Sequence, residues 1–302
     1  MPTLIIREYT DPGCPWAFSA EPSRYRLRWL FGEEIAWHRT MVGLSERPED
    51  VAARGFTPDR EAKALAAMQR RFGMPIDPLE RPRNAATMPA CRAVVAARLH
   101  APEREVALLR RLRVNAMAGN LLDAPETLAL SAGEAGLDPL ELERWAGEAE
   151  TAEALSADMA AARAPSPAAL ALDHKLADAA GGRRYTCPSY EIARADGPAR
   201  LDLPGFQPAD AYEAAIANLA PELVRRGRPE SVEEVLAWAG EPLATAEVAA
   251  VRETTMIETR EALARVARER PVGADGYWTL PGAATDEALG VAEPAQLRAP
   301  LA

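Results

Sequence analysis

Apolar and polar positions divide the chain into a strand-and-helix opening, a long helical stretch, a return to strands and a closing helical group. The apolar run Leu4-Ile5-Ile6, bounded by the turn residues Asp11, Pro12 and Gly13, predicts a strand. Residues 15–31 then read as a helix with Gly32 as its C-cap. Pro22 falls inside that helix, where it removes a hydrogen bond and predicts a kink. Residues 34–42 predict a second strand, and a strand–helix–strand unit of this length fits a right-handed parallel crossover. From about 48 to 180 apolar residues recur at helical spacing. One helix is expected over 58–72, and Pro75, Pro78, Pro82 and Pro89 then break the chain. Further helices follow over 90–99, 103–118, 121–136, 139–150 and 156–180, the last interrupted at Pro165-Ser166-Pro167. Strand character returns over 184–206, where two short runs flank the hairpin pair Asp196-Gly197. A helix over 208–219, helices over 231–240, 246–252 and 256–270, and a last strand at Gly276-Tyr277-Trp278-Thr279-Leu280 complete the pattern. The stretch after Pro281, rich in Ala, Pro and Gly, is expected to be a mobile tail.

Length and charge narrow this picture. A chain of 302 residues suggests about two domains. Its net charge of −10 argues against unassisted nucleic-acid binding, which needs a basic footprint. The closing group of three helices and a strand has the order of a winged-helix module, yet residues 230–280 carry ten acidic residues against five arginines. A packing or protein-contact role is expected there instead of DNA binding. No apolar stretch approaches the ~20 residues of a membrane span, and no secretory signal is visible, so a cytoplasmic protein is expected. Three cysteines, an odd number, suit a reducing compartment.

The chemistry centres on Asp11-Pro12-Gly13-Cys14-Pro15-Trp16-Ala17. Cys14 falls at a strand-to-helix junction, beside backbone N–H groups that have no intrahelical partner. Those groups and the helix dipole favour a thiolate, the nucleophilic form, over the free thiol of pKa roughly 8.5. The plainer alternative is a small buried apolar residue. Cys14, Cys91 and Cys187 with His38 have the chemistry of a soft-metal site, but no close-spaced ligand pair supports one. Trp16, Phe18, Trp37 and Tyr190 either build an apolar groove around Cys14 or fill the core. His100 and His174 read as surface residues, no carboxylate pair suggests acid–base work, and phosphate-loop and dinucleotide signatures are absent.

Asp11-Pro12-x-Cys14-Pro15-Trp16 resembles the active-site junction of the DsbA-like and FrnE-type oxidoreductases. It is also similar to that of the SpxH-type adaptor proteins, whose active-site helix carries an acidic-Pro pair, here Glu21-Pro22. Tyr185-Thr186-Cys187-Pro188-Ser189-Tyr190 resembles the segment that bears the cis-proline of the same fold. The resemblance covers roughly the first 220 residues and implies an α/β thioredoxin-like fold with an inserted all-α domain. The expected division is a first half over 1–47, a helical insertion over 48–182 and a second half over 183–228. A winged-helix-like module over 229–280 and the tail over 281–302 follow.

One departure from the family limits what carries over. Its redox enzymes have Cys-x-x-Cys, and Ala17 stands where the second cysteine belongs, so these two positions cannot run a dithiol cycle. Cys14 is then the expected nucleophile, resolved by Cys187 or by a low-molecular-weight thiol such as glutathione or mycothiol acting as co-substrate. The alternative for Cys187 is a cysteine standing in for a family threonine or valine and packing without reacting. Cys91, in Thr87-Met88-Pro89-Ala90-Cys91-Arg92, lies in a segment that faces the active site in related proteins. Pro15, Trp16, Ala17, Phe18, Thr186, Pro188, Cys91 and Arg92 are the candidates for holding a peptide or thiol, with no tightly bound cofactor and no metal expected. The expected partner is a thiol or disulfide substrate, protein or small molecule, with a further protein contact through the C-terminal module. A non-catalytic adaptor and a thiol-cofactor-dependent isomerase or transferase remain the alternatives.

Overall fold

A computed structural model describes residues 1–282. The chain opens with β1 (Leu4–Thr10), α1 (Pro15–Ser19), α2 (Glu21–Phe31) and β2 (Ile35–Met41). The expected kink falls at Ala20, where α1 gives way to α2 with Pro22 in its first turn. Eight helices follow: α3 (Pro48–Ala53), α4 (Pro58–Phe72), α5 (Met88–His100), α6 (Glu105–Met117), α7 (Pro125–Glu134), α8 (Pro139–Ala146), α9 (Ala149–Ala162) and α10 (Pro167–Leu170). The hairpin β3 (Ala177–Ala179) and β4 (Gly182–Arg184) leads into β5 (Ser189–Arg194), β6 (Arg200–Leu203) and α11 (Ala209–Leu219). The closing part is α12 (Val232–Ala239), β7 (Leu243–Ala244), α13 (Thr245–Arg252), α14 (Met256–Val266), β8 (Arg268–Val272) and β9 (Asp275–Thr279).

The central sheet has the order β2-β1-β5-β6. β1 runs parallel to β2 and antiparallel to β5, which runs antiparallel to β6. Leu4 and Ile6 of β1 join Ile192 of β5, Leu27 of α2 and Tyr212 and Ile216 of α11 in one buried cluster. The helices between β2 and the returning strands have a core of their own, from Leu65 through Val94, Leu108 and Leu112 to Leu142 and Leu155. This is the α/β thioredoxin-like arrangement with a helical insertion. The closing part packs on α2, whose Tyr25 and Trp29 share a buried cluster with Val235, Val248, Leu263 and Trp278.

A buried ion-pair network joins these three bodies. Arg113 of α6, 1% exposed, donates to Glu21 and Thr10, and to Glu8 at 3.0 Å. Arg110, one turn earlier, grips Glu247 of α13 through two bonds of 2.6 and 2.7 Å and lies 3.8 Å from Glu21. Arg24 donates to Glu21 from within α2. The three carboxylates and three guanidiniums balance, as buried charges must if they are not to carry a large desolvation penalty. Burial works against the Glu21 carboxylate, but Arg24, Arg113 and Arg110 together hold its pKa down at about 2. Glu247 faces one of these cations and has Glu21 nearby, and burial pushes its pKa up.

The structure departs from the sequence pattern in several places. The helix expected over 256–270 stops at Val266, and residues 268–272 pair with β9 instead. Pro271 disfavours helical backbone at the residue before it, and Gly273 turns the chain at φ 61°. The helix expected over 156–180 is α9, shifted to Ala149–Ala162, and residues 177–184 form a hairpin. Its two-residue turn is Ala180-Gly181, with Gly181 and the first strand residue Gly182 both at positive φ. α7 begins at Pro125, not 121, because proline opens a helix where its missing N–H costs nothing. β7 had no counterpart in the pattern. The tail expected over 281–302 lies outside the described residues beyond Gly282.

Candidate active site

The loop from β1 to α1 is held by the carboxylate of Asp11, which is fully buried. Its Oδ1 accepts the Gly13 N–H at 2.8 Å. Its Oδ2 accepts the Leu44 N–H at 2.8 Å, the Thr87 hydroxyl at 2.9 Å and the Cys91 thiol at 3.3 Å. One side chain thus ties the Cys14 loop to the segment after β2 and to the start of α5. Burial nevertheless pushes the Asp11 pKa up, against these donors. Gly13 is required by space: a Cβ there would lie 2.5 Å from Thr87 Cγ2.

Cys14 is the N-cap of α1, with extended backbone, and its carbonyl accepts the Phe18 N–H at 3.0 Å. Its Sγ donates to the Cys187 carbonyl at 3.4 Å, and the Cys187–Pro188 peptide bond is cis. Cys14 is 5% and Cys187 7% exposed, in one cluster with Ala17, Tyr9, Val42, Leu176 and Tyr185. The Cys14 pKa is lowered, first by a hydrogen bond from the Cys187 thiol and then, against burial, by the Ala17 and Trp16 N–H groups. Asp11 pushes the other way. Burial drives the Cys187 pKa well up, and the Cys14 charge adds to it. One thiol is poised to ionise and its neighbour to stay protonated.

The sequence candidates separate around this pair. Pro15 opens α1, and Trp16 is 39% exposed at the mouth, edge-on to Phe72 of α4 at 5.6 Å and to Phe206 at 5.8 Å between centroids. Ala17 and Pro188 are buried beside the thiols, whereas Phe18 is fully buried in the helical core and turns away from them. The Thr186 hydroxyl donates to the Lys175 carbonyl. Cys91 is fully buried behind Asp11, with its pKa raised well above the usual thiol value by burial. Arg92 is exposed and lines a cavity of about 740 Å³ between α5, α7 and α8, apart from the Cys14 cluster. Trp37 and Tyr190 meet edge-on under the sheet at 5.8 Å, so of the four aromatics weighed for a groove only Trp16 stands at the thiols. His38 is exposed on β2, and among the described residues no group of three or more His, Cys, Asp or Glu side chains converges as a metal site.

Asp11 and Thr87 stand in the motifs quoted from the sequence, but sequence reasoning gave neither a role, and it did not single out Phe72 or Phe206.

No family model matches the chain, and no curated protein does. Solved structures do match. A provisionally assigned protein disulfide isomerase from Nitrosomonas europaea superposes with a TM-score of 0.55 at 16% identity, over 73% of this chain and 98% of that one. A provisionally assigned DsbA oxidoreductase from Streptomyces coelicolor gives 0.52 at 18% identity, over 75% and 93%. Identity this low speaks to fold alone. The chain therefore shares the fold of these structures, a thioredoxin-like sheet that here carries a helical insertion.

Proposed function

We propose that this chain is a thiol–disulfide oxidoreductase in which Cys14 is the nucleophile and Cys187 the resolving thiol. The observation that carries the reading is the contact of the Cys14 thiol with the Cys187 carbonyl, in one buried cluster with the Cys187 side chain, with the Cys14 pKa lowered and the Cys187 pKa raised. The Cys14 thiolate attacks one sulfur of a substrate R–S–S–R′. A Cys14–S–S–R bond forms, the substrate S–S bond breaks, and R′–S⁻ leaves and takes up a proton from water. Cys187 then attacks the Cys14 sulfur, its thiol proton passing to the departing R–S⁻. The substrate gains two electrons and leaves as two thiols, and the protein holds a Cys14–Cys187 disulfide. Two equivalents of a low-molecular-weight thiol, glutathione or mycothiol, reduce it again. The high Cys187 pKa keeps the second thiol protonated until the mixed disulfide exists, which sets the order of the two attacks. Ala17 takes no part beyond packing.

The odd cysteine count favours the cytoplasm as the place of action. The closing part, whose sheet has the order β7-β9-β8 behind three helices, we read as winged-helix-like, serving first to pack on α2.

The test is Cys187→Ser with glutathione disulfide, followed by intact mass. A Cys14 mixed disulfide that persists supports the reading. Turnover equal to the parent protein assigns resolution to an external thiol. A Cys14 that never reacts would replace the redox reading with that of a protein-binding adaptor.

A further inference from the structure

The helix α2 has 11 residues, about 16 Å of rise, and its first end meets the Cys14 helix. Its other end borders a separate hollow of about 310 Å³, between α2, residues 224–226 and α12 of the closing part. Among the described residues, three arginines and two tryptophans line it and no carboxylate does. The larger cavity beside Arg92 has four carboxylates in its lining, so the two hollows differ in the charge they favour.

Backbone bonds hold this hollow in shape. The Trp29 indole N–H donates to the Gly227 carbonyl at 2.8 Å, and the Arg226 N–H donates to the Leu30 carbonyl at 2.8 Å. The chain after α11 is thereby pinned across the end of α2, with the Arg226 guanidinium carbon 3.5 Å from the Trp29 ring centroid. Trp238 of α12 stands edge-on to Trp29, 5.2 Å between centroids, and Arg28 lies 5.5 Å from the Trp238 centroid. The three cations are loosely neutralised, by carboxylates outside the lining. Arg28 Nη1 makes no hydrogen bond and lies 3.9 Å from Glu241 Oε1, an oxygen that already accepts the Tyr25 hydroxyl at 2.7 Å. Arg225 shares the Glu213 carboxylate with Arg26. Arg226 meets Glu234 at 3.1 Å in an exposed pair, where water screens the attraction.

We propose that this hollow binds a small aromatic anion, a flat ring that carries one carboxylate or phosphate group. Guanidiniums present planar, paired N–H donors that match the oxygens of either group, and they also stack on flat rings. Three like charges at one lining repel one another, and an anion among them removes that repulsion. In a chain of net charge −10, such a spot concentrates anions from solution. The ring is asked for by the apolar part of the lining. Val224, 87% exposed, and the half-buried Trp238 leave apolar surface in water that a bare anion cannot cover and a ring can. The site uses neither thiol and stands apart from the disulfide chemistry proposed above.

The test is calorimetry of the full chain at low ionic strength with adenosine 5′-monophosphate, 2-naphthoate, adenosine and inorganic phosphate. Saturable binding of one or both aromatic anions is expected, about tenfold or more tighter than adenosine or phosphate and weakened by added salt. The tighter of the two tells phosphate from carboxylate. Arg28→Gln and Arg226→Gln are each expected to weaken binding about tenfold, the scale of one charge-assisted hydrogen bond. Arg70→Gln, exposed on α4, is expected to leave it unchanged. Adenosine or phosphate bound as tightly as the aromatic anions overturns the inference, as does binding indifferent to both arginine variants. Absence of binding by either aromatic anion also overturns it and leaves the arginines and tryptophans as a packing seam. The comparison of probes on the parent protein decides the matter if a variant fails to fold.

Discussion

Replacing Cys187 by alanine deletes a single sulfur from the surroundings of Cys14 and leaves the backbone carbonyl that accepts the Cys14 thiol at 3.4 Å. The contact that favours the neutral thiol is kept, and the one that favours the thiolate is lost. Hydrogen bonds to charged acceptors contribute about 1.5–3 kcal/mol, and sulfur is a weak partner, which places this one near the lower end. At 1.36 kcal/mol per pKa unit, the Cys14 titration should move up by about one unit. The Ala17 and Trp16 N–H groups still face the sulfur, so the pKa should not rise as far as that of a thiol with burial alone. The assay is the rate of iodoacetamide alkylation of Cys14 against pH, read by peptide mass in parent and variant. Cys91, fully buried against Asp11, serves as an internal control that reacts only on unfolding. A midpoint unchanged or lowered in Cys187→Ala would refute the assignment of the shift to the Cys187 thiol.

Two further outcomes follow from the same geometry. Ala17→Cys places a second thiol one turn along α1 in the same buried cluster as Cys14. After mild oxidation, peptide mapping should find the new thiol bonded to Cys14 at the expense of the Cys14–Cys187 link, and an undiminished Cys14–Cys187 link would count against position 17 lying within reach of the Cys14 sulfur. Glu21→Gln removes a carboxylate whose pKa is about 2 in the fold and roughly 4.3 in the unfolded chain. A depressed carboxylate pKa contributes stability above the unfolded value, and that contribution is lost as pH falls through the folded one. About 3 kcal/mol should therefore separate the variant from the parent at pH 7 in urea unfolding, narrowing below about pH 4. A gap independent of pH would refute this reading of the network.

The sequence made the reactive junction readable because its signals are local. Asp-Pro-Gly ends a strand, Pro15 opens a helix, and the cysteine between them can only be an N-cap. The approach of Cys187 was readable only through the resemblance to the cis-proline segment, since 173 residues separate it from Cys14 and a tertiary contact carries no periodic signature. Arg110 and Arg113 illustrate the opposite failure: arginines on an amphipathic helix look like a solvated face, and here both lie in the interior with their carboxylates on other elements. β8 was missed because the helical run of 256–266 flows into Arg268 and Arg270 without a break in polarity, and only Pro271 marks the change. Phe72 and Phe206 look like ordinary core residues in sequence, and only the fold sets them beside Trp16.

The central claim is that Cys14 and Cys187 form one redox unit. It is tested most directly by non-reducing peptide mapping of the full chain after mild oxidation, with the parent protein reduced as reference. A single intramolecular Cys14–Cys187 disulfide, reversed by a small thiol, is the predicted result. A Cys14 that carries only a small-thiol adduct, with Cys187 still free, would contradict it.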